Sequence, residues 1–363
     1  MPPTPEVGSP THGATIKGTT DQRRTISGGV DARRSAKGTL TGLLRRHVVL
    51  ILIVALCILF SVLAPTTFPT MANLQGLALG QAVSALLALA VLLVVVAGEF
   101  DLSVGYILGF SAVLSAALAG RAGIPAVLAI LVSLAAGSLL GLLSGTLTAR
   151  LRVNSLIATL GVGLAVSGLS VGVSGGQILS TNIPPLIRHL ARTPILGVGS
   201  AFWFVLVVAA IMYVVLTKTP AGRKLYAIGG SEAVARLVGI RVRLMKTLVF
   251  VIAGFLAALA GVLQLGLSGA ANPSFGSNLL LPAFAAVFLG STTVRPGFFN
   301  VWGTLLAIVM LAVGFSGLSL LGAPFWVEPV FDGIALIIGV LLSKWSVQSA
   351  RTRGTKPSRR TDD

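Results

Sequence analysis

Apolar runs of about 20 residues recur along the whole chain, separated by short polar turns. A helix of that length matches the hydrocarbon thickness of a bilayer, and a soluble core has no use for so many. Ten segments are marked, at 48–64, 73–97, 104–119, 125–149, 154–173, 200–217, 247–268, 276–290, 300–321 and 327–343. Only 10% of the 363 residues are charged, where soluble domains carry about 25%. Glycine is abundant, at 43 residues, which suits close helix packing in lipid. The pattern predicts an all-α polytopic membrane protein with about ten transmembrane helices. The third and eighth segments are short for straight spans, so tilted, broken or re-entrant helices are expected there. A division into 5+5 inverted halves suits this count, although the halves do not align residue by residue.

The net charge of +17 raises the question of nucleic acid, but its distribution answers it. The basic residues lie between apolar segments or in the tails, as orientation signals do. With both termini cytoplasmic, eight basic residues fall in the N-terminal tail, two in the turn after the fourth segment (Arg150, Arg152), and seven in the long loop 218–246. Arg295 adds one and the C-terminal tail six, so 24 of 27 lie inside and only Arg121, Arg188 and Arg192 outside. Residues 1–40 read as a disordered basic cytoplasmic tail, with Arg45 and Arg46 beside the first span. Residues 41–346 form the membrane domain and 347–363 a second basic tail. The single cysteine, Cys57, sits in an apolar run as a packing residue. No Walker A pattern, metal-ligand spacing or nucleophile elbow occurs, and His12, His47 and His189 are scattered. The chain itself offers no recognisable route to ATP hydrolysis.

The longest charged interruption is Lys218–Lys246, which holds seven basic residues and one acid, Glu232. Within it, Ser231–Ile240 reads as a short amphipathic helix. Ala233, Val234, Leu237, Val238 and Ile240 share one arc, with Glu232 and Arg236 opposite. Ten residues make only about 15 Å of helix, too short to cross a bilayer. Its apolar face must therefore lie on lipid, on its own bundle or on a partner protein. On the other side, the loop at about 174–199 is the longest, with a short surface helix expected over Ile183–Leu190. It is either a connector or a docking surface for an external protein.

Four acids lie in or beside apolar segments, and each is costly there. Glu99 and Asp101 are two apart, so on one helix they would point about 200° apart rather than form a paired site. Asp101 or Ser103 suits the N-cap of the third span, and the alternative is a polar element of the pathway or gate. Glu328 and Asp332 share a face of the last span near its outer end. The neutral polar residues Gln81, Asn154, Thr159, Gln264 and Asn278 are candidates for solute contact or for helix–helix bonds.

Four stretches then carry a resemblance that covers about residues 45–343. They are AGEFDLSVGYILG (97–109), VNSLIATLGVGLAVSGLSVGVSGG (153–176), TPAGRKLYAIGGSEAVARLVGIRV (219–242) and AGFLAALAGVLQLGLSGAANPSFGSNLLLPAFAAVFLGSTTV (253–294). In this order they resemble the membrane permease subunit of bacterial ABC importers of the ribose/xylose type. The Asp-Leu-Ser-Val-Gly in the first stretch separates this group from branched-chain amino-acid and nucleoside relatives and favours a sugar or sugar-like solute. Two positions depart from the family. Ser231 stands where Asn is usual, and 290–297 (GSTTVRPG) replaces a glycine-rich turn, which should stiffen it.

The resemblance implies a multi-pass protein of the cytoplasmic (inner) membrane, as a homodimer or paralogue heterodimer. It implies a separate cytoplasmic ABC ATPase subunit carrying ATP and Mg, and an external solute-binding protein, periplasmic or lipid-anchored. No cofactor on this chain and no nucleic acid are expected. Gly229, Gly230, Ser231, Glu232, Val234, Ala235, Leu237, Val238 and Gly239 are expected to form the ATPase-coupling element, with Gly229, Gly230 and Gly239 as sharp turns. Glu99, Asp101, Ser103, Asn154, Thr159, Gln264 and Asn278 are the pathway or gate candidates. The competing class is an ion-coupled secondary transporter or channel for a small polar solute. A membrane scaffold without transport is a third.

Overall fold

Helices follow the apolar runs closely. The structure is a computed structural model that describes residues 47–354, with side chains as far as Ser343. The 1–40 tail, Arg45, Arg46 and the end of the 347–363 tail lie outside the described residues. In chain order the helices are α1 Val48–Leu63, α2 Met71–Gly80, α3 Ala82–Val96, α4 Ser103–Ala116, α5 Ala126–Ala149, α6 Ser155–Ser174 and α7 Pro185–Arg192. They continue with α8 Ser200–Lys218, α9 Pro220–Gly230, α10 Glu232–Leu237, α11 Val242–Ser268, α12 Phe275–Asn278, α13 Leu280–Gly290, α14 Val301–Leu320 and α15 Val327–Gly354. Among the described residues, seven helical stretches are long and apolar enough to cross a membrane, and Val48–Leu63 and Phe275–Gly290 are shorter apolar helices.

Several boundaries differ from the sequence reading. The second segment breaks at Gln81 into α2 and α3. The third is not short, because a π-helical turn at Ala117–Arg121 extends α4. The eighth is broken, as α12 and α13. The last helix runs on to Gly354, into the stretch assigned to the C-terminal tail. The expected surface helix lies at Pro185–Arg192, and a two-residue antiparallel hairpin follows, β1 (Pro194–Ile195) and β2 (Val198–Gly199), paired Pro194 to Gly199 and Ile195 to Val198.

The core is organised on α3, in which every residue from Ala82 to Val96 is buried. A helix apolar on all sides has no face to give to water and belongs in the middle of a bundle. It is enclosed by α4, α8, α11, α13 and α14. Lipid-like interiors give little hydrophobic incentive for helices to meet, so close backbone approach has to hold them. Gly137, Gly141 and Gly145 of α5 supply it against α11. A Cβ on Gly137 would stand 2.8 Å from the Gly254 carbonyl, and one on Gly141 would strike the Phe250 carbonyl. At the crossing of α4 and α12, a Cβ on Gly105 would stand 2.8 Å from the Gly276 carbonyl.

The turns sort to two ends. At one, the links 97–102, 150–154 and 291–300 meet α9, α10 and the foot of α11. At the other, Arg121 donates to the carbonyls of Val173 and Ser174, and Arg192 to that of Leu267. Two of the three arginines expected outside thus satisfy orphan carbonyls at helix C-termini. Leu179 and Ala271 bridge the same end with backbone bonds of 3.0 and 2.8 Å. Cys57 packs beside Phe60 and Phe68.

Replacing Gly141 with valine should separate α5 from α11. Overpacking of a filled interior costs about 1–3 kcal/mol. Thermal unfolding of the detergent-solubilised protein should show a clear drop in Tm for Gly141→Val and little change for Gly161→Val, whose Cβ would meet open space.

Candidate functional site

The link 97–102 leaves the buried α3 and must turn at once into α4. Gly98 makes the turn possible with φ +81°. Glu99 follows and meets Lys246, at the foot of α11, with Nζ 2.5 Å from Oε1. The same ammonium bonds Glu232, which also pairs with Arg236 one helical turn on. Lys246 Nζ is thus shared between two carboxylates, with its side chain 8% exposed. The hydrogen bond from Lys246, aided by its charge and that of Arg236, holds the Glu232 carboxyl below its ordinary range. Beside this cluster is a polar pocket of about 350 Å³ lined by Glu99, Thr148, Arg152, Asn154, Glu232 and Lys246, among others.

Asp101 is fully buried two residues on. Its Oδ1 accepts from the Ser103 backbone N–H at 2.8 Å, the first orphan donor at the start of α4, and from Ser103 Oγ at 2.5 Å. Ser103 Oγ lies 3.1 Å from Ser144 Oγ of α5. Leu102 N–H donates to Thr159 Oγ1 at 3.0 Å, and Phe100 N–H to Ser155 Oγ at 3.3 Å, so α6 grips the link from the other side. Asp101 Oδ2 has no hydrogen-bond partner among the described residues. Burial pushes this carboxyl up to about 6, against the lowering effect of the Ser103 bonds.

The arm on the same end is two helices rather than one loop. Thr219 caps α9, its Oγ1 accepting from Gly222 N–H at 3.4 Å, and Pro220 opens it. Ser231 caps α10, accepting from Val234 N–H at 3.4 Å. The amphipathic helix is shorter than the Ser231–Ile240 expected, because Gly239 turns out with φ +79° and ends it. Val234, Leu237 and Val238 are 57%, 86% and 70% exposed on one side. Ala235 faces the other way and is buried, and Ile240 packs inward with Ile228 and Val242. Gly229 and Gly230 are the last residues of α9 rather than sharp turns. Gly229 instead allows close approach, since a Cβ there would strike the Val96 carbonyl and stand 3.2 Å from Gly98 N.

The remaining candidates divide. Glu99, Asp101, Ser103 and Thr159 come together at the link. Asn154 lies close by, capping α6 through the Leu156 and Ile157 N–H groups. Gln264 is half-buried within α11 and Asn278 is exposed at the end of α12. Glu328 is exposed and Asp332 half-buried, one turn apart on α15. Sequence reasoning gave no role to Lys246, Tyr226 or Asn300. Lys246 looked like one orientation charge among seven. Asn300, in the motif Asn-Val-Trp-Gly, was readable as an N-cap, and it does accept from Gly303 N–H at 2.8 Å.

The profile of the family described as branched-chain amino acid transport system / permease component matches residues 73–341. The chain is similar to the ribose import permease protein RbsC of Escherichia coli (strain K12), 31% identical over 81% of this chain and 92% of the relative. It is similar to the ribose import permease protein RbsC of Bacillus subtilis (strain 168), 33% identical over 80% and 89% respectively. It is also similar to the L-arabinose ABC transporter permease protein AraH of Azospirillum brasilense, 30% identical over 85% and 91%. No solved structure matches the chain.

Asp101 sets a pH dependence with a definite sign. Its carboxyl sits near 6 in the folded state and 3.8 when free, so the fold prefers the neutral acid. Stability is lost as pH rises from about 4 through 6, and the full cost persists above. Asp101→Asn keeps an acceptor for Ser103 and cannot ionise. Wild-type stability relative to Asp101→Asn should therefore improve by up to about 3 kcal/mol between pH 7 and pH 4. Tm values of the two proteins across that range check it, and parallel curves would refute it.

Proposed function

We infer, from the premise that the chain belongs to the branched-chain amino acid transport system permease-component family, that it is the membrane permease subunit of an ATP-binding cassette importer for a sugar or sugar-like solute. Relatives named for ribose and L-arabinose import cover most of the chain and support that solute class. ATP and Mg belong to a separate cytoplasmic ATPase subunit. An external solute-binding protein delivers the solute at the end where Arg121 and Arg192 lie. In this reading the domain 41–346 crosses the membrane ten times as two inverted halves, with both termini cytoplasmic. Two permeases, identical or paralogous, enclose the path. Nucleic acid has no part in it.

The observation that carries the coupling assignment is the side of α10 that presents Val234, Leu237 and Val238 to the outside of the fold. Two large apolar side chains on a helix of six residues and a third at its C-cap gain nothing from solvent and suit a groove on a partner. Ser231 and Gly239 define the ends of this helix. Glu232 fastens it to the bundle, and Ala235 seats it. Gly229 and Gly230 join it to α9. Glu99, Asp101, Ser103, Asn154 and Thr159 serve as the inner gate by holding the 97–102 link, while Gln264 and Asn278 stay as solute-contact candidates. The ion-coupled alternative loses ground on two counts. The importer permeases match at nearly full length, and Glu99 is committed to Lys246 rather than free to carry a coupling ion.

Leu237→Asp tests the coupling role. Leu237 is 86% exposed, so the change should leave insertion and Tm intact. A charge at the centre of an apolar contact costs about 2–4 kcal/mol, so ATPase association should weaken about 30-fold or more. Co-purification and titration of the ATPase measure it. Unchanged affinity would remove α10 from the interface.

A further inference from the structure

We propose that the Tyr226 hydroxyl is a positioning group of the transport cycle, passing movement of the α9–α10 arm into the 291–300 turn. The inference rests on the coupling role of α10. Its basis is that α9 holds two of the turns that begin long helices at this end of the molecule, 97–102 before α4 and 291–300 before α14. Tyr226 Oη donates to the Phe299 carbonyl at 2.6 Å, and its ring meets Phe298 edge-on at 6.3 Å. One helical turn later, Gly229 lies backbone to backbone against Val96 and Gly98.

The two turns are also joined to each other. The Phe100 ring of the first turn lies 6.3 Å from Phe288 of α13, and Phe288 lies 5.6 Å from Phe299 of the second. The arm and the two turns therefore form a closed triangle. One side is the Tyr226–Phe299 bond, one the Gly229–Gly98 contact, and one the ring contacts Phe100–Phe288, stacked, and Phe288–Phe299, edge-on. Each turn has a side chain at the start of the helix after it: Asp101 accepts from the first N–H of α4, that of Ser103, and Asn300 caps α14. A shift of the arm cannot move one turn while leaving the other behind. Leu225 and Ile228 bury the inner face of α9, so the arm moves as a packed body. Tyr226 supplies the one side of the triangle that a single atom can cut.

The test uses the full permease with the ATPase that co-purifies with it, in lipid nanodiscs. A reporter cysteine replaces the exposed Arg295 in a Cys57→Ser background, and its alkylation by a fluorescent maleimide is timed with and without Mg-ATP and vanadate. The expected result is a nucleotide-dependent rate in the parent that falls about fivefold in Tyr226→Phe, the bias that one ordinary hydrogen bond carries. ATP hydrolysis should be retained in that variant. Ser343→Ala is the control, because it cuts the 2.9 Å Ser291–Ser343 bond to the same turn without touching α9, and it should keep the response.

The inference is overturned if Tyr226→Phe keeps the full response, or if the parent shows none. It is overturned also if Ser343→Ala loses the response equally, since the bonds would then only stiffen the turn. Failure of Tyr226→Phe to co-purify with the ATPase counts the same way, as it makes the hydroxyl purely structural. Failure of the coupling role itself reads out separately, as unchanged ATPase affinity in Leu237→Asp.

Discussion

The ammonium of Lys246 is the interaction on which this end of the protein depends. It is almost fully enclosed, and an enclosed charge survives only with partners. Glu99 and Glu232 provide them, from positions 147 and 14 residues away in the chain. With Arg236 added, two cations face two carboxylates, and the cluster is close to neutral. Taking away Lys246 would leave the Glu99 carboxylate, only 17% exposed, without its cation, whereas Glu232 and Arg236 lie further out and can still pair with each other. The foot of α11 is itself fixed by the glycine seam with α5. The cluster therefore ties a surface helix and the first link to a closely packed helix pair.

What the sequence made legible was whatever repeats at helical or bilayer scale. The apolar runs gave the positions of most of the long helices, though the second and eighth runs break in two and the last helix runs on well past its apolar segment, and the exposed faces of Val234, Leu237 and Val238 followed from their spacing. Ser231 was legible as a cap because capping is a local property of type and position. The pairing of Lys246 with Glu99 was not legible, because nothing local marks which of seven basic residues meets an acid 147 positions earlier. The same holds for Tyr226, whose partner is a backbone carbonyl and leaves no trace in side-chain types. Gly229 shows the limit from another side. A glycine reads as a turn from sequence, but here its value is the missing Cβ beside Val96.

The acids divide according to how each is satisfied. Glu99 sits where a cation can reach it and is spent in an ion pair. Asp101 is deeper, is held by Ser103 and the Val104 N–H with no cation beside it, and keeps one oxygen without a partner among the described residues. A buried carboxyl held this way is more comfortable neutral, which explains why its pairing with Ser103 does not offset burial. Two carboxylates two residues apart thus end in different electrostatic settings. This separation is what the 200° argument foresaw for a helix, though here an irregular link achieves it rather than a helix.

The departure at 290–297 takes on meaning from this arrangement. Val294 adopts φ +60°, a left-handed conformation that a β-branched residue enters at a cost of about 1–2 kcal/mol. The turn tolerates it because Asn300 Nδ2 bonds the carbonyls of Gly290, Thr293 and Phe298, at 3.3, 3.2 and 3.0 Å, while Ser291 ties the turn to α15. Pro296 removes a further backbone freedom. A glycine-rich turn would yield under the pull of Tyr226 and absorb the displacement locally. A turn whose conformation is over-determined has to pass the displacement to α14. The loss of glycine in this segment is therefore compatible with transport, because it stiffens the side of the triangle through which the arm acts.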